Sequence, residues 1–175
     1  MKVVHTQFFV ESNGRRVTYH NITEKVTEAI KTSGIDDGFC VITTPHTTCS
    51  IVLEEFVHDQ DWNGDEFLQV DQNRLLEKMI PRQLTESDYL YPGPKHVQFL
   101  QELAAANPDY PADPATILNA DAHIKASLFG SSEFVIIKAG KPLIGSVGSL
   151  YYIDWDQNRK RQRTCNLMLM GERGE

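Results

Sequence analysis

The stretch Gly38-Phe39-Cys40-Val41-Ile42-Thr43-Thr44-Pro45-His46-Thr47-Thr48-Cys49-Ser50-Ile51-Val52-Leu53 holds two apolar runs on either side of a proline. Both runs are too short for helices and are rich in Val, Ile and Thr, so they read as central strands. Pro45 fixes its own φ and pushes Thr44 into an extended conformation, which predicts that the strand entering from Phe39 breaks there and restarts at His46. With a period of two, the restarted strand sets His46, Thr48 and Ser50 on one face and Thr47, Cys49, Ile51 and Leu53 on the other. The first face is polar and predicts one wall of a site; the second belongs to the core. A Cys49 thiol activated by His46 is disfavoured, because the two point to opposite faces.

Working outward, residues 3–10 are rich in β-branched and aromatic side chains, and Ser12-Asn13-Gly14-Arg15 is a turn signal before Val17-Thr18-Tyr19, which predicts an opening hairpin. Thr23 is placed to cap a helix over 24–33 that Gly34 ends. After the quoted stretch, residues 54–65 form an acidic loop, and its Asp59, Asp61 and Asp65 miss the spacing of a calcium loop. Phe67, Val70, Leu75, Met79 and Ile80 mark an amphipathic helix stopped by Pro81, and Val97, Leu100, Leu103 and Ala104 mark a second that ends near Asn107-Pro108. A three-proline connection over 107–114 leads to a third helical pattern over 119–128, ended by Gly130. Strands over 133–137, 149–155 and 160–170 close the chain as an antiparallel meander. Strands at both ends and helices between them predict an α+β fold: an antiparallel β-sheet sandwich or meander with short helices packed on it, a single domain over 1–175.

The 175 residues carry 17 Lys and Arg against 24 Asp and Glu, a net charge of -7 and a pI near 5.3. That balance argues against a surface built for nucleic acid or anionic lipid. Cys40, Cys49 and Cys165 sit in apolar, strand-like contexts without paired spacing, which points to a reducing compartment. No stretch approaches the roughly 18 apolar residues of a membrane span, and the first residues lack a signal-peptide core. A cytoplasmic protein is expected.

His46, His96 and His123 come from three separate segments. Neutral imidazole is a common ligand for zinc-like metals, and three histidines with an open fourth position form a known catalytic arrangement. The plainer reading is that each ring is simply hydrogen-bonded in place. In the segment 119–128, residues four apart share a helix face, so Asn119, His123 and Ser127 form a polar line beside the apolar line Ala120, Ile124 and Leu128. Asp121 is placed to cap this helix or to orient a histidine ring, and Lys125 lies within ion-pair reach of it. An exposed Asp121–Lys125 pair on a capped helix is the alternative. Arg159, Arg161 and Arg163 share one side of the last strand, where they would hold a phosphate or diphosphate, or simply face water on a sheet edge. Neither a P-loop nor a dinucleotide fingerprint occurs.

Taken together, His46-Thr47-Thr48-Cys49-Ser50 with Glu55, then Asp71 ten residues ahead of Pro81, then His96, then the block Asn119 to Gly130, resemble the YjbQ-like family, described as secondary thiamine-phosphate synthase enzymes. The resemblance covers nearly the whole chain in order, and the block 119–130 is its most specific part. It implies an α+β fold on an antiparallel sheet, a homotrimer, and histidines gathered around a bound metal or anion. Where the family reads Gly-Thr-Trp-Gln this chain has Gly145-Ser146-Val147-Gly148, and where it reads Asp-Gly-Pro-Arg this chain has Asp156-Gln157-Asn158-Arg159.

On that resemblance the expected metal ligands are His46, His96 and His123, holding a divalent zinc or magnesium. Asp121, Lys125, Glu55 and Asp71 are the expected catalytic residues. Thr48, Ser50, Asn119, Ser127 and Arg159 are expected to bind a phosphorylated small-molecule substrate. The expected reaction joins a pyrimidine diphosphate to a thiazole phosphate with loss of diphosphate. The alternatives are a metal-assisted hydrolase of a phosphorylated small molecule and a non-catalytic trimeric metabolite-binding protein.

Overall fold

Pro45 separates the two strands of the central stretch more widely than one residue. In the computed structural model, which describes residues 1–107, 110 and 113–173, strand β3 runs Asp37–Thr43 and β4 resumes only at Cys49–Glu55. Residues 44–48 form a loop closed by the Cys49 amide donating to the His46 carbonyl at 3.0 Å. The proline leaves no partner for a sheet ladder, and Thr44 accepts the His46 amide on its own hydroxyl at 3.3 Å, so the backbone turns instead of restarting as a strand. The wider break lets β3 and β4 enter different sheets.

One sheet has five strands in the order β1 (Lys2–Glu11), β8 (Gln162–Glu172), β3, β5 (Ser132–Lys138) and β6 (Lys141–Pro142). The other has three, in the order β2 (Thr18–Asn21), β7 (Gly148–Asp154) and β4, and all named pairings are antiparallel. The expected opening hairpin is therefore not a ladder. Asn13 Oδ1 accepts the amides of Arg15 and Arg16, and the turn it forms carries the chain from one sheet to the other. The closing strands occur where expected but are not successive neighbours: β5 pairs with β3, β7 with β4 and β2, and β8 with β1 and β3. Local pattern marks strands; the partner of each is a long-range choice.

A first core fills the space between the sheets. Cys40 and Ile42 of β3, Val135 and Ile137 of β5, and Cys165, Leu167 and Leu169 of β8 meet Cys49 and Ile51 of β4 and Leu150 and Tyr152 of β7. Helix α1 (Thr23–Ser33) closes it with Val26 and Ile30, and Gly34 ends the helix in the left-handed conformation at φ 65°. Thr23 does not cap α1; its hydroxyl accepts the Leu150 amide at 2.9 Å. A second core lies on the far face of the three-stranded sheet, where Val52, Tyr151, Ile153 and Trp155 are covered by Leu76 of α2 (Phe67–Met79) and by Ala122 and Ala126 of α4 (Ala120–Phe129). The α+β sandwich is thus a three-layer arrangement. Among the described residues no helix is long and apolar enough to cross a membrane.

Two helices expected to bury their apolar stripe do not. Leu76 is the core contact of α2, with Ile80 buried just past its end, while Phe67, Leu75 and Met79 are 52%, 53% and 74% exposed. Helix α3 (Gly93–Ala106) buries no residue fully. The outer face of the five-stranded sheet is likewise bare: Phe39 stacks on Phe134 with centroids 5.0 Å apart, and Val3, Phe9, Phe134 and Ile136 are all exposed. Positions 108, 109, 111 and 112 of the expected proline-rich connection lie outside the described residues.

Candidate functional site

The loop 44–48, the start of α4, the segment 89–96 and the residues entering β8 close around a polar cavity of about 280 Å³. His46 reaches it from the loop, but its Nε2 accepts the Thr164 amide at 2.9 Å. That bond places the proton of the neutral ring on Nδ1. Burial, with Arg163 beside it, holds His46 below the ordinary histidine pKa.

Helix α4 contributes Asn119 and, one turn on, His123, which is the polar line read from the sequence. Asn119 Nδ2 donates to Asp156 Oδ2 at 3.1 Å. His123 is also held below its ordinary pKa, chiefly by burial, although a hydrogen bond to the Thr47 backbone opposes the shift. Its Nε2 lies 3.5 Å from the Tyr91 hydroxyl, and His96 Nε2 lies 3.4 Å from the same oxygen. Both distances are at the long edge of hydrogen bonding, so the phenol sits between two rings without locking either. Burial raises the Tyr91 pKa and keeps it a donor.

The basic wall comes from residues 159–163. Arg163 makes a buried bidentate contact with Asp154, Nε to Oδ2 at 2.6 Å and Nη2 to Oδ1 at 2.9 Å, and donates to Thr48 Oγ1 at 3.0 Å. Arg161 pairs with Asp156 at 3.1 Å, and Arg159 lies over the Tyr110 ring. Three guanidiniums against the carboxylates of Asp154 and Asp156 leave one positive charge in excess. The Nε atoms of Arg159 and Arg161 and the Oδ1 of Asn119 are buried without a partner among the described residues. These three atoms are closed off from solvent, and the cavity itself is lined by guanidinium, imidazole and hydroxyl groups with positive charge in excess, a lining suited to a polar, negative ligand.

The structure sorts the expected site residues into two groups. His46, His96, His123, Thr48, Asn119 and Arg159 line the cavity. Ser50 does not: it is fully buried, accepts Trp155 Nε1–H at 2.9 Å and donates to the Ala126 carbonyl. Ser127 donates to the His123 carbonyl and borders a neighbouring groove. Asp121 and Lys125 pair with each other at 3.2 Å, almost wholly buried, and Asp121 Oδ1 accepts the Gln83 amide. Gln83 in turn accepts from the Ala120 amide and donates to the Tyr91 carbonyl, so this buried network seats the segment bearing Tyr91. Asp71 is exposed and paired with Arg74 on α2, and Glu55 is exposed at the end of β4. Glu55 and Asp71 lie outside the cavity lining, as do the divergent residues 145–148. Tyr91, Tyr110, Asp154 and Asp156 were not marked by the sequence, although alternate acids at 154 and 156 facing alternate arginines at 161 and 163 carry the signal.

The donor set does not fit the expected three-histidine metal centre. His46 spends Nε2 on a backbone amide, and among the described residues no group of three or more His, Cys, Asp or Glu side chains is disposed to hold a metal ion. His96 and His123 alone turn Nε2 to a common point, and the neighbouring arginines favour an anion there over a cation.

The model of the family described as UPF0047 protein YjbQ-like matches residues 7–172. A UPF0047 protein of Methanocaldococcus jannaschii is 30% identical over 142 residues, covering 81% of this chain and 78% of its own. YugU of Bacillus subtilis, a UPF0047 protein, is 26% identical over 151 residues, covering 86% and 88%. Among solved structures, a YjbQ/UPF0047-family protein of Clostridium acetobutylicum superimposes with a TM-score of 0.64 at 28% identity, covering 95% of this chain and 99% of its own. A protein of unknown function from Sulfolobus solfataricus gives 0.68 at 23% identity, covering 98% and 99%, and shares the fold. By the extent of the family match and by these relatives, the chain belongs to the UPF0047, YjbQ-like family.

Proposed function

We propose that the protein is an enzyme acting on a phosphorylated small molecule in the His/Arg cavity, and that its reaction resembles thiamine-phosphate synthesis. The observation that carries the phosphate is the excess of positive charge that Arg159, Arg161 and Arg163 bring to a cavity also lined by His96, His123 and Tyr91. In this reading a pyrimidine diphosphate loses its diphosphate as the methylene C–O bond breaks, and the thiazole nitrogen supplies the electron pair of the new C–N bond. Arg159 and Arg161 stabilise the charge growing on the leaving diphosphate, and preorganised donors in a sheltered site do this without reorganisation. Tyr91, lying between His96 and His123, donates a hydrogen bond to a departing oxygen.

Diphosphate release on mixing the purified protein with both substrates tests the reading. Release that requires the thiazole phosphate supports it. Release without any acceptor instead identifies a phosphate hydrolase, the reading favoured by a phenol poised between two imidazoles. Neither outcome, with an unreleased ligand, identifies a binding protein.

Two properties belong to the same reading. A homotrimer would cover the bare apolar face around Phe39, Phe134 and Ile136, and Ile136→Lys is expected to lower the mass measured by light scattering. A cytoplasmic setting suits Cys40, Cys49 and Cys165, which are free and buried.

A further inference from the structure

Of the three guanidiniums that line the cavity, two are answered by carboxylates, Arg163 by Asp154 and Arg161 by Asp156. Arg159 faces no carboxylate among the described residues, so the positive charge in excess is its own. Its Nε is closed off, which leaves the terminal nitrogens as the donors it can offer to an anion.

The backbone beneath Arg159 is fixed on both sides. Asn158 donates to the Leu118 carbonyl at 2.6 Å and accepts from Arg82 at 3.1 Å, and the Arg159 carbonyl carbon lies 2.2 Å from where a Cβ on Gly14 would stand. The side chain has no comparable anchor, and it stands near a like charge: burial lowers the Arg161 pKa, Asp156 opposes that shift, and Arg163 and Arg159 add to it. What holds the Arg159 guanidinium is the ring of Tyr110, whose centroid lies 5.1 Å from the guanidinium carbon, within the range of a cation–π contact. Tyr110 lines the same cavity, and its amide donates to the Asn107 carbonyl at 2.9 Å. A guanidinium that lies over a ring keeps its in-plane N–H groups for oxygen acceptors.

We propose that Tyr110 is a positioning residue: its ring holds the uncompensated Arg159 guanidinium at the cavity wall and so sets the affinity for phosphate without touching the phosphate. The inference rests on the phosphate reading above and deepens it. Stacking in advance removes side-chain freedom that Arg159 would otherwise lose on binding.

Titration of inorganic phosphate at pH 8, followed by NMR into the millimolar range, tests this with the wild type, Tyr110→Phe, Tyr110→Leu, Arg159→Gln and the double variant Tyr110→Leu/Arg159→Gln. Tyr110→Phe keeps the ring and is expected to bind within about twofold of the wild type, and Tyr110→Leu at least about fivefold more weakly. In the Arg159→Gln background the same Leu change is expected to cost less than about twofold, because the ring then has no guanidinium to hold. Wild-type affinity in Tyr110→Leu, a loss in Tyr110→Phe, or an undiminished loss in the Arg159→Gln background overturns the inference and leaves the phosphate reading standing. Failure of the wild type to bind phosphate removes the phosphate reading itself, and this inference with it. If Arg159→Gln binds too weakly to measure, the contrast between the Phe and Leu variants decides. If Tyr110→Leu does not fold, judged by near-ultraviolet circular dichroism, the wild-type Arg159 Nε–H signal decides: shielding by the ring is expected to move it upfield of that of exposed Arg15, and an unshifted signal overturns the inference.

Discussion

Breaking the Asp154–Arg163 pair tests how the fold supports the cavity. Both side chains are almost fully buried, at 2% for Arg163 and 1% for Asp154, and they are joined by two short parallel hydrogen bonds. Removing one partner of such a pair strands a charge away from water and costs about 3–5 kcal/mol, a large part of the roughly 5–15 kcal/mol by which a domain is stable. The two single variants should differ. In Asp154→Asn the guanidinium keeps Asp156 3.9 Å away and the Thr48 hydroxyl, which places the cost near 3 kcal/mol. In Arg163→Met the Asp154 carboxylate keeps the Asp156 amide and Thr48 loses its donor, which places the cost near 5 kcal/mol. The double variant strands no charge and should be more stable than the sum of the singles predicts by about 2 kcal/mol or more. Urea unfolding of all four proteins, followed by the fluorescence of buried Trp155 beside this pair, measures the cycle. Single variants costing under about 1 kcal/mol, or strictly additive effects, would refute the claim that the pair is a buried, mutually dependent unit.

Three further outcomes follow from particular contacts. The His123 ring, followed by NMR, should titrate below the ordinary pKa of about 6.5. Because the unfolded chain then binds the proton first, stability contributed by His123 is present above that unfolded value and is lost as pH falls toward the folded pKa; stability flat over that window would contradict the shift. Lys125→Met should destabilise the protein by about 3–5 kcal/mol by stranding Asp121, yet change phosphate affinity less than about twofold, since Lys125 is outside the cavity; strongly weakened phosphate binding at unchanged stability would return Lys125 to a direct role. Protein purified without substrate should hold well under one equivalent of zinc or magnesium by elemental analysis. A stoichiometric metal lost in His46→Ala would refute the description of His46 as a ring clamped on the Thr164 amide.

Residue-level pattern determined a good deal of this molecule. The strands on either side of Pro45, the helices at 23–33, 67–79 and 120–129, and the His123 face of α4 follow from periodicity and stop signals that act over a few residues. The polar line Asn119–His123 and the arginines at 159, 161 and 163 were visible for the same reason, since residues four apart on a helix or two apart on an extended segment share a face. Tertiary structure alone decided which of these residues work together. Lys125 and Asp121 could be exposed, catalytic or buried by their spacing; the Gln83 segment packed over α4 makes them a buried pair. Ser50 shares the period of His46 on paper, but the loop between β3 and β4 turns His46 toward the cavity while Ser50 is taken up by Trp155. Asp154 and Asp156 became part of the site because β7 delivers them to the arginines entering β8 from the other sheet. Hydrogen-bond partners across about a hundred residues of chain are set by which strands meet, and that choice is a property of the whole fold that no local pattern carries.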